Sequence, residues 1–195
     1  MKIGIICECG PQGAEAQVFP EIVKKLGLKH TLDIVPMDMK PRLVEGCGKA
    51  AGQLLESGCE RVLIVWDLYP GWREKGQKPC RKEDREAILA SLKANKVDIK
   101  KTKLICIQEE LEAWLLCDGR ALSEILSRQT HKVKVKDEKS PDEVSNPKAR
   151  MRKLFQHNGK SDYNDKTDAV KIVKALLDTK KLLRSSSFDR FRNSL

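Results

Sequence analysis

The chain has 195 residues, a hydrophobic content of 40% and a formal net charge of +10 at pH 7, which suits one α/β domain with a small appendage. No apolar run reaches the roughly 18 residues that a membrane span needs, and the start of the chain lacks the pattern of a signal peptide. We therefore expect a cytoplasmic protein without a membrane partner. The seven cysteines have no paired spacing and no histidine nearby, which favours reduced, buried thiols over a zinc site or disulfides.

Strand and helix patterns alternate through the first 127 residues. Residues 30–38 predict a weak strand, and Pro36 indicates either an edge strand or the end of a strand. Continuous apolar runs predict buried strands at 2–8, 61–67 and 101–108. Apolar residues at helical spacing follow each strand. This order is typical of a three-layer, Rossmann-like α/β fold, with a mostly parallel four-stranded sheet and helices on both faces.

The sequence changes character after residue 127. Residues 128–147 are polar and basic and predict an insertion or linker, in which the alternating Val133 and Val135 indicate a short hairpin arm. Residues 148–195 predict a basic helical extension packed on the domain, with Phe188 and Phe191 docking its last turn. An apolar stripe in this extension is typical of core packing and comprises Ala169, Val170, Val173, Leu176 and Leu177.

Acidic residues stand at the ends of three predicted strands. Glu8 follows the first strand, Asp67 ends the third, and the fourth runs into Glu109, Glu110 and Glu112. Ligands of parallel α/β sheets bind beyond the carboxyl ends of the strands. Converging carboxylates repel one another unless a cation offsets the repulsion, and oxygen ligands suit Mg²⁺ or Mn²⁺ better than zinc.

A carboxylate-held Mg²⁺ typically supports phosphoryl chemistry. The hypothesis makes Glu8 a general base or metal ligand, Asp67 the principal ligand, and Glu109 or Glu112 a further ligand. Glu109 and Glu112 lie three residues apart, on one face of a predicted helix, so that spacing does not rank them. Each acid taken alone is equally typical of a helix cap or a solvent-facing side chain.

Basic residues are the candidates for binding nucleic acid. Residues 1–127 contain 20 Lys and Arg against 19 Asp and Glu, whereas residues 128–195 contain 18 against 9. Such asymmetry favours an anionic partner, most often nucleic acid, although a solvated lysine-rich surface has the same composition. In the loop after Asp67, Arg73 and Lys75 would hold a phosphate and Trp72 would stack on a base. An exposed turn that Trp72 anchors is an equally typical interpretation of this loop. A second cluster comprises Lys148, Arg150, Arg152 and Lys153.

Three segments resemble a bacterial and archaeal Toprim-like family of unknown function, related to the Toprim domains of OLD-type nucleases. In "CECGPQGAEAQVF", Glu8 and Glu15 match the family's first-strand motif, and Asp67 matches its third-strand aspartate. Glu112 and Trp114 in "EAWLL" match its fourth-strand motif, and "SSSFDRF" is similar to its end. The resemblance implies a Toprim-like domain over residues 1–127, a Mg²⁺-dependent nuclease that is the effector of a defence or toxin system, and an AAA or ABC-type ATPase partner.

Two departures from the family keep other functions open. Tyr69 stands where the Toprim Asp-x-Asp motif has its second carboxylate, and the first turn reads "ECG" rather than "EG". A non-catalytic nucleic-acid or protein-binding subunit on the same scaffold is therefore the first alternative. A nucleotide-handling transferase or phosphatase is the second. The sequence also leaves a homodimer open.

Overall fold

The structure is a computed structural model that describes residues 1–71 and 78–195. A four-stranded parallel sheet lies at its centre. The strands lie in the order β2-β1-β3-β4, with β1 at Lys2–Cys7, β2 at Thr31–Pro36, β3 at Arg61–Asp67 and β4 at Thr102–Ile107. The predicted α/β sheet is therefore confirmed, and β2, which ends at Pro36, lies at its edge as expected.

Helices connect and follow the strands. Those in the described part of the chain are α1 (Ala14–Lys25), α2 (Lys40–Glu56), α3 (Arg81–Ala94), α4 (Glu112–Leu116), α5 (Gly119–Leu126), α6 (Pro147–His157), α7 (Asp165–Ala175) and α8 (Ser186–Ser194). Within residues 1–71 and 78–195, no helix combines the length and the apolar character needed to cross a bilayer.

Each face of the sheet has its own apolar core. Because successive side chains of a strand point to opposite faces, Ile3 and Ile5 of β1 belong to one core and Ile6 to the other. Helices α2 and α3 cover the Ile6 face, while α1 and α4 to α8 cover the Ile3 face. This double burial explains why β1 reads as a continuous apolar run.

The C-terminal helices complete the core on the α1 side. Phe188 and Phe191 are fully buried, which confirms that they dock onto the domain. The ring centroid of Phe191 lies 5.0 Å from that of Phe19 and 5.4 Å from that of Trp114. The predicted apolar stripe is wrong at Leu177, which is 77% exposed. Because α7 ends at Ala175, helical spacing no longer sets the directions of the next two side chains, and only Leu176 is buried.

The insertion at residues 128–147 does not form the predicted hairpin arm, and residues 133–137 of it are hydrogen-bonded to α5 and its C-cap. Arg128 and His131 make an isolated antiparallel bridge, and residues 132–139 have no regular secondary structure. The backbone amides that a hairpin would pair instead donate to serine hydroxyls, Val133 to Ser127 at 3.0 Å and Val135 to Ser123 at 2.8 Å. Local hydrogen bonds of this kind compete with strand pairing.

Candidate active site

A cleft of about 410 Å³ opens at the carboxyl end of the sheet. Residues that follow all four strands line it, which is where ligands of parallel sheets bind. Its charged lining residues are Glu8, Glu15, Asp38, Lys40, Asp67, Glu110, Lys148, Asp165 and Lys166. The sheet order therefore brings Glu8 and Asp67 together, because they follow the adjacent strands β1 and β3.

Glu8 and Asp67 each carry an unsatisfied oxygen. The Oε2 atom of Glu8 and the Oδ1 atom of Asp67 are buried and have no hydrogen-bond partner among the described residues. A buried polar atom without a partner is costly to a fold, and such an atom in a native structure indicates strain, function or an absent ligand.

The same two carboxyl groups resist ionisation. Burial raises the pKa of Glu8 to about 8, and the charge of Glu15 adds to this while that of Lys40 opposes it. Burial raises the pKa of Asp67 well above its ordinary value, and the charges of Glu8 and Glu15 raise it further. Since the ionised forms are disfavoured by desolvation and mutual repulsion, a cation between them would relieve both.

Glu15 is the third carboxylate of this group, and it enters from the first turn of α1. The turn that leads into α1 requires glycine at position 13, because a Cβ there would lie 2.3 Å from that of Cys9. Burial raises the pKa of Glu15, so that the cleft contains three carboxyl groups with pKa values displaced in the same direction.

Lys40 is a cleft residue that the sequence reasoning missed. Its side chain is 4% exposed, and its Nζ donates to the carbonyl oxygens of Leu68 and Pro70 at 2.8 and 2.7 Å. It also lies 3.8 Å from Asp84 Oδ2. Lys40 thus holds the segment after β3 in place. The strand-end rule, applied to β2 as well, would have found it, because α2 begins shortly after that strand.

Lys148, predicted as a nucleic-acid contact, lies in the cleft at the start of α6. Its backbone N–H donates to Glu110 Oε2 at 3.0 Å, and its ammonium group pairs with Asp165. Burial alone would lower the pKa of Lys148, but the bond to Asp165 and the charge of Glu112 raise it. Lys148 therefore stays charged beside the carboxylates.

Glu109 and Glu112 do not line the cleft, where Glu110 lies instead. They do not share a helical face as predicted, because α4 begins only at Glu112 and Glu109 adopts a left-handed φ of 61°. Glu112 is 3% exposed, and burial raises its pKa to about 7 against the opposing charge of Lys148. Burial and the charge of Glu110 raise the pKa of Glu109.

The other basic residues of α6 lie apart from these carboxylates. Arg150 pairs with Glu138, Arg152 lies 3.9 Å from Asp162, and Lys153 is exposed and has no ion pair within the described residues. The predicted contacts Trp72, Arg73 and Lys75 lie outside the described residues.

The donor set fits a hard divalent cation. No group of three or more His, Cys, Asp or Glu side chains in residues 1–71 and 78–195 is arranged to hold a metal ion together. Mg²⁺, however, often takes only one or two protein carboxylates and completes its shell with water and substrate phosphate. The two unsatisfied oxygens of Glu8 and Asp67 match that requirement, and Tyr69, which is 45% exposed, lies on the same cleft.

Comparison with known proteins identifies a family whose function is unknown. No curated protein and no solved structure matches the chain. Residues 12–195 match the family described as a domain of unknown function, DUF4276. This match includes Glu15, Asp67 and every strand except β1, and it leaves Glu8 just outside. Because it spans nearly the whole chain, the protein belongs to the DUF4276 family.

Proposed function

We propose that the protein hydrolyses phosphodiester bonds of nucleic acid with the help of Mg²⁺ or Mn²⁺. The observation that carries the proposal is the pair of buried, unpartnered oxygens on Glu8 and Asp67. They follow adjacent parallel strands and have strongly raised pKa values. Carboxyl groups displaced in this way are typical of functional sites.

Glu8 and Asp67 are the residues that would hold the cation. A bound divalent cation polarises a phosphoryl oxygen and promotes the formation of hydroxide from water. Glu15 lines the same cleft and has a raised pKa, which suits a group that accepts a proton near neutral pH. Lys148 lines the same cleft, and its positive charge would attract a substrate phosphate.

Lys40 has a positioning role in this proposal. Its ammonium group already donates to the carbonyl oxygens of Leu68 and Pro70, so that it orders the segment next to Asp67. Its charge also lowers the pKa of Glu8. Removal of Lys40 would therefore disturb both the shape of the cleft and the ionisation of one ligand.

The test is a nuclease assay on plasmid, single-stranded DNA and RNA with Mg²⁺ or Mn²⁺, and with EDTA as the metal-free arm. Asp67→Ala should lose metal-dependent cleavage. Asp33→Ala is the matched control, because Asp33 also lies on a strand but pairs with Lys2 outside the cleft. The proposal fails if the wild type cleaves nothing, both alone and with an added AAA or ABC-type ATPase.

A non-catalytic binding subunit is the second candidate. It is favoured by Tyr69, which lines the cleft and stands at the sequence position of the second carboxylate in an Asp-x-Asp motif. Nucleic-acid binding that is equally tight with EDTA and in Asp67→Ala, without cleavage, would favour this candidate. The role as a defence effector, the ATPase partner and a homodimer remain predictions that these contacts do not address.

A further inference from the structure

An extended segment, residues 132–137, runs antiparallel along α5, and we name it the lysine strap. Besides the two bonds from Val133 and Val135 to serine hydroxyls, the backbone N–H of Gly119 donates to Asp137 Oδ1 at 3.0 Å. The α5 partners Ser127, Ser123 and Gly119 are four residues apart, and the strap partners are two apart. Four helical residues rise about 6 Å and two extended residues about 6.6 Å, so that the two repeats match.

The close contact is built into the sequence at the Asp137 end of the strap. A Cβ at Gly119 would lie 2.4 Å from the carbonyl oxygen of Val135, so only glycine allows the strap to approach α5 there. Beyond it, Asp137 pairs with Lys181 at 3.0 Å and with Arg184 at 3.2 Å. The strap is therefore held by hydrogen bonds along its length and by ion pairs at its end.

This register points the lysines outward. Because side chains of an extended chain alternate, Val133 and Val135 pack toward the core, while Lys132, Lys134 and Lys136 are exposed. None of these three lysines has an ion pair within the described residues. The bonds to α5 thus present three unpaired ammonium groups in a row.

A groove of about 450 Å³ separates the lysine strap from α6. Arg150 lies on the α6 side of the groove, and no Asp or Glu is among its lining residues, which are Leu116, His131, Lys132, Val133, Lys134, Val135, Lys136, Arg150, Leu154 and Asn158. The groove is therefore a concave basic surface, in contrast to the acidic cleft.

The basic residues of α6 lie between the cleft and the groove. Measured around the helix from Lys148, at about 100° per residue, Arg152, Lys153 and Arg150 lie at about 40°, 140° and 200°. Lys148 lines the cleft and Arg150 lines the groove. The buried Met151 lies at about 300°, so that the arc from Lys148 to Arg150 is the outward side of α6.

We propose that the lysine strap and the outward side of α6 bind the phosphate backbone of a nucleic acid strand that reaches the acidic cleft. The path from strap to cleft rests on the proposed function, whereas the binding surface itself does not. Lysines that have no ion pair in the described part of the chain and lie along a groove with no Asp or Glu in its lining are the groups that phosphates attract. An anionic membrane fits less well, because Val133 and Val135 are half-buried against the core and the strap has no exposed large apolar side chain to enter a bilayer.

The experiment measures binding without cleavage. A fluorescently labelled single-stranded DNA, duplex DNA and RNA of one length are titrated by anisotropy, in EDTA, at several salt concentrations. The variant combines Lys132→Gln, Lys134→Gln and Lys136→Gln. We expect affinity to fall by about tenfold or more at low salt, and the slope of log K against log salt to become shallower by roughly two to three.

Matched variants test whether binding depends on the position of the lysines or only on the net charge of the protein. Lys93→Gln, Lys100→Gln and Lys101→Gln together remove three exposed lysines from the α3 and β4 side, and they should leave the slope nearly unchanged. Replacement of the three strap lysines by arginine should restore binding. Circular dichroism melts of all variants test whether each is folded.

Each outcome decides the proposal. Equal binding by the strap variant and the control variant, no binding by the wild type, or binding to phosphatidylserine vesicles in place of nucleic acid would overturn it. Cleavage that needs Asp67 but is insensitive to the strap lysines would support the proposed function and overturn the role of the strap. Strap-dependent binding without any cleavage would support the role of the strap and overturn the proposed function.

Discussion

Trp114 Nε1 donates a hydrogen bond of 2.8 Å to Ser187 Oγ, and this buried bond joins residues 73 positions apart. Ser187 Oγ also lies 2.8 Å from Ser185 Oγ, and all three side chains are buried. The bond links α4, which follows the sheet, to α8. It fixes the aromatic cluster of the C-terminal helices on the domain that carries the acidic cleft.

Loss of that bond should destabilise the fold. Ser187→Ala leaves the indole N–H of Trp114 buried without an acceptor, which costs about 1–3 kcal/mol of the free energy of unfolding. Urea denaturation measures the change. Ser186→Ala is the control, because the Ser186 hydroxyl bonds to Asp142 at an exposed position. An equal loss in both variants would contradict the importance of the buried bond.

The raised pKa of Glu8 predicts how stability depends on pH in the absence of metal. Its pKa rises from 4.5 to about 8 on folding, so the fold stabilises the protonated form. That stabilisation is complete below pH 4.5 and is lost as the pH rises through about 8. In EDTA, the free energy of unfolding should therefore fall across this range.

Glu8→Gln should remove part of that dependence. At pH 8 in EDTA, the variant is expected to exceed the wild type in stability by at least about 1.4 kcal/mol, the free energy of one pKa unit. Glu86→Gln, at a position that is 62% exposed, serves as the control. A Glu8→Gln variant that is less stable than the wild type at pH 8 would show that the ionised carboxylate is stabilised by contacts not seen here.

A divalent cation should offset the loss of stability that the ionised carboxylates cause, and it should do so without any substrate. Mg²⁺ or Mn²⁺ at about 100 times its Kd would stabilise the protein by about 2.7 kcal/mol, or roughly 5–10 °C in Tm. Differential scanning fluorimetry measures the shift, which should disappear in Glu8→Gln and in Asp67→Asn. A shift that persists in both variants would place the cation elsewhere.

Two glycines give opposite predictions for the same substitution. Gly119→Ala places a Cβ against the lysine strap and should cost about 1–3 kcal/mol. It should also speed tryptic cleavage after the strap lysines. At Gly52, in α2, the nearest atom to a Cβ is 4.0 Å away, so Gly52→Ala should stabilise the helix by about 0.5–1 kcal/mol. Equal tryptic rates for wild type and Gly119→Ala would show that the strap tolerates the added methyl group.

The fold could be predicted because its signals are local and repeated. Strands β1, β3 and β4 contain continuous apolar runs, whereas β2 is the weaker signal, and each early helix has a clear apolar face. Helix α5 is not evident in the sequence because only Cys117 and Asp118 separate it from α4. The side chain of Asp118 caps α5 by accepting from the Arg120 and Ala121 amides. A break that depends on one capping side chain is hard to distinguish from a continuous helix.

The candidate site could be predicted only where strand order decides it. Glu8 and Asp67 come together because β1 and β3 are neighbours, as the common strand orders suggest. Glu110 rather than Glu109 lines the cleft, and the backbone of Glu109 is left-handed. A left-handed conformation is uncommon for a residue other than glycine, so the sequence does not predict it. The contact of Lys40 with two carbonyl groups depends on how α2 meets the end of β3.

The aromatic contact between Phe19 and Phe191 also has a consequence for folding during synthesis. Phe19 lies in the first helix, and its ring partners Trp114 and Phe191 emerge from the ribosome much later. Until then, the apolar side of α1 has no complete cover, although the strands and the α2–α3 side can already assemble. The nascent protein therefore exposes the apolar face of α1 for most of its translation, and a chaperone that binds this face would prevent aggregation during that interval.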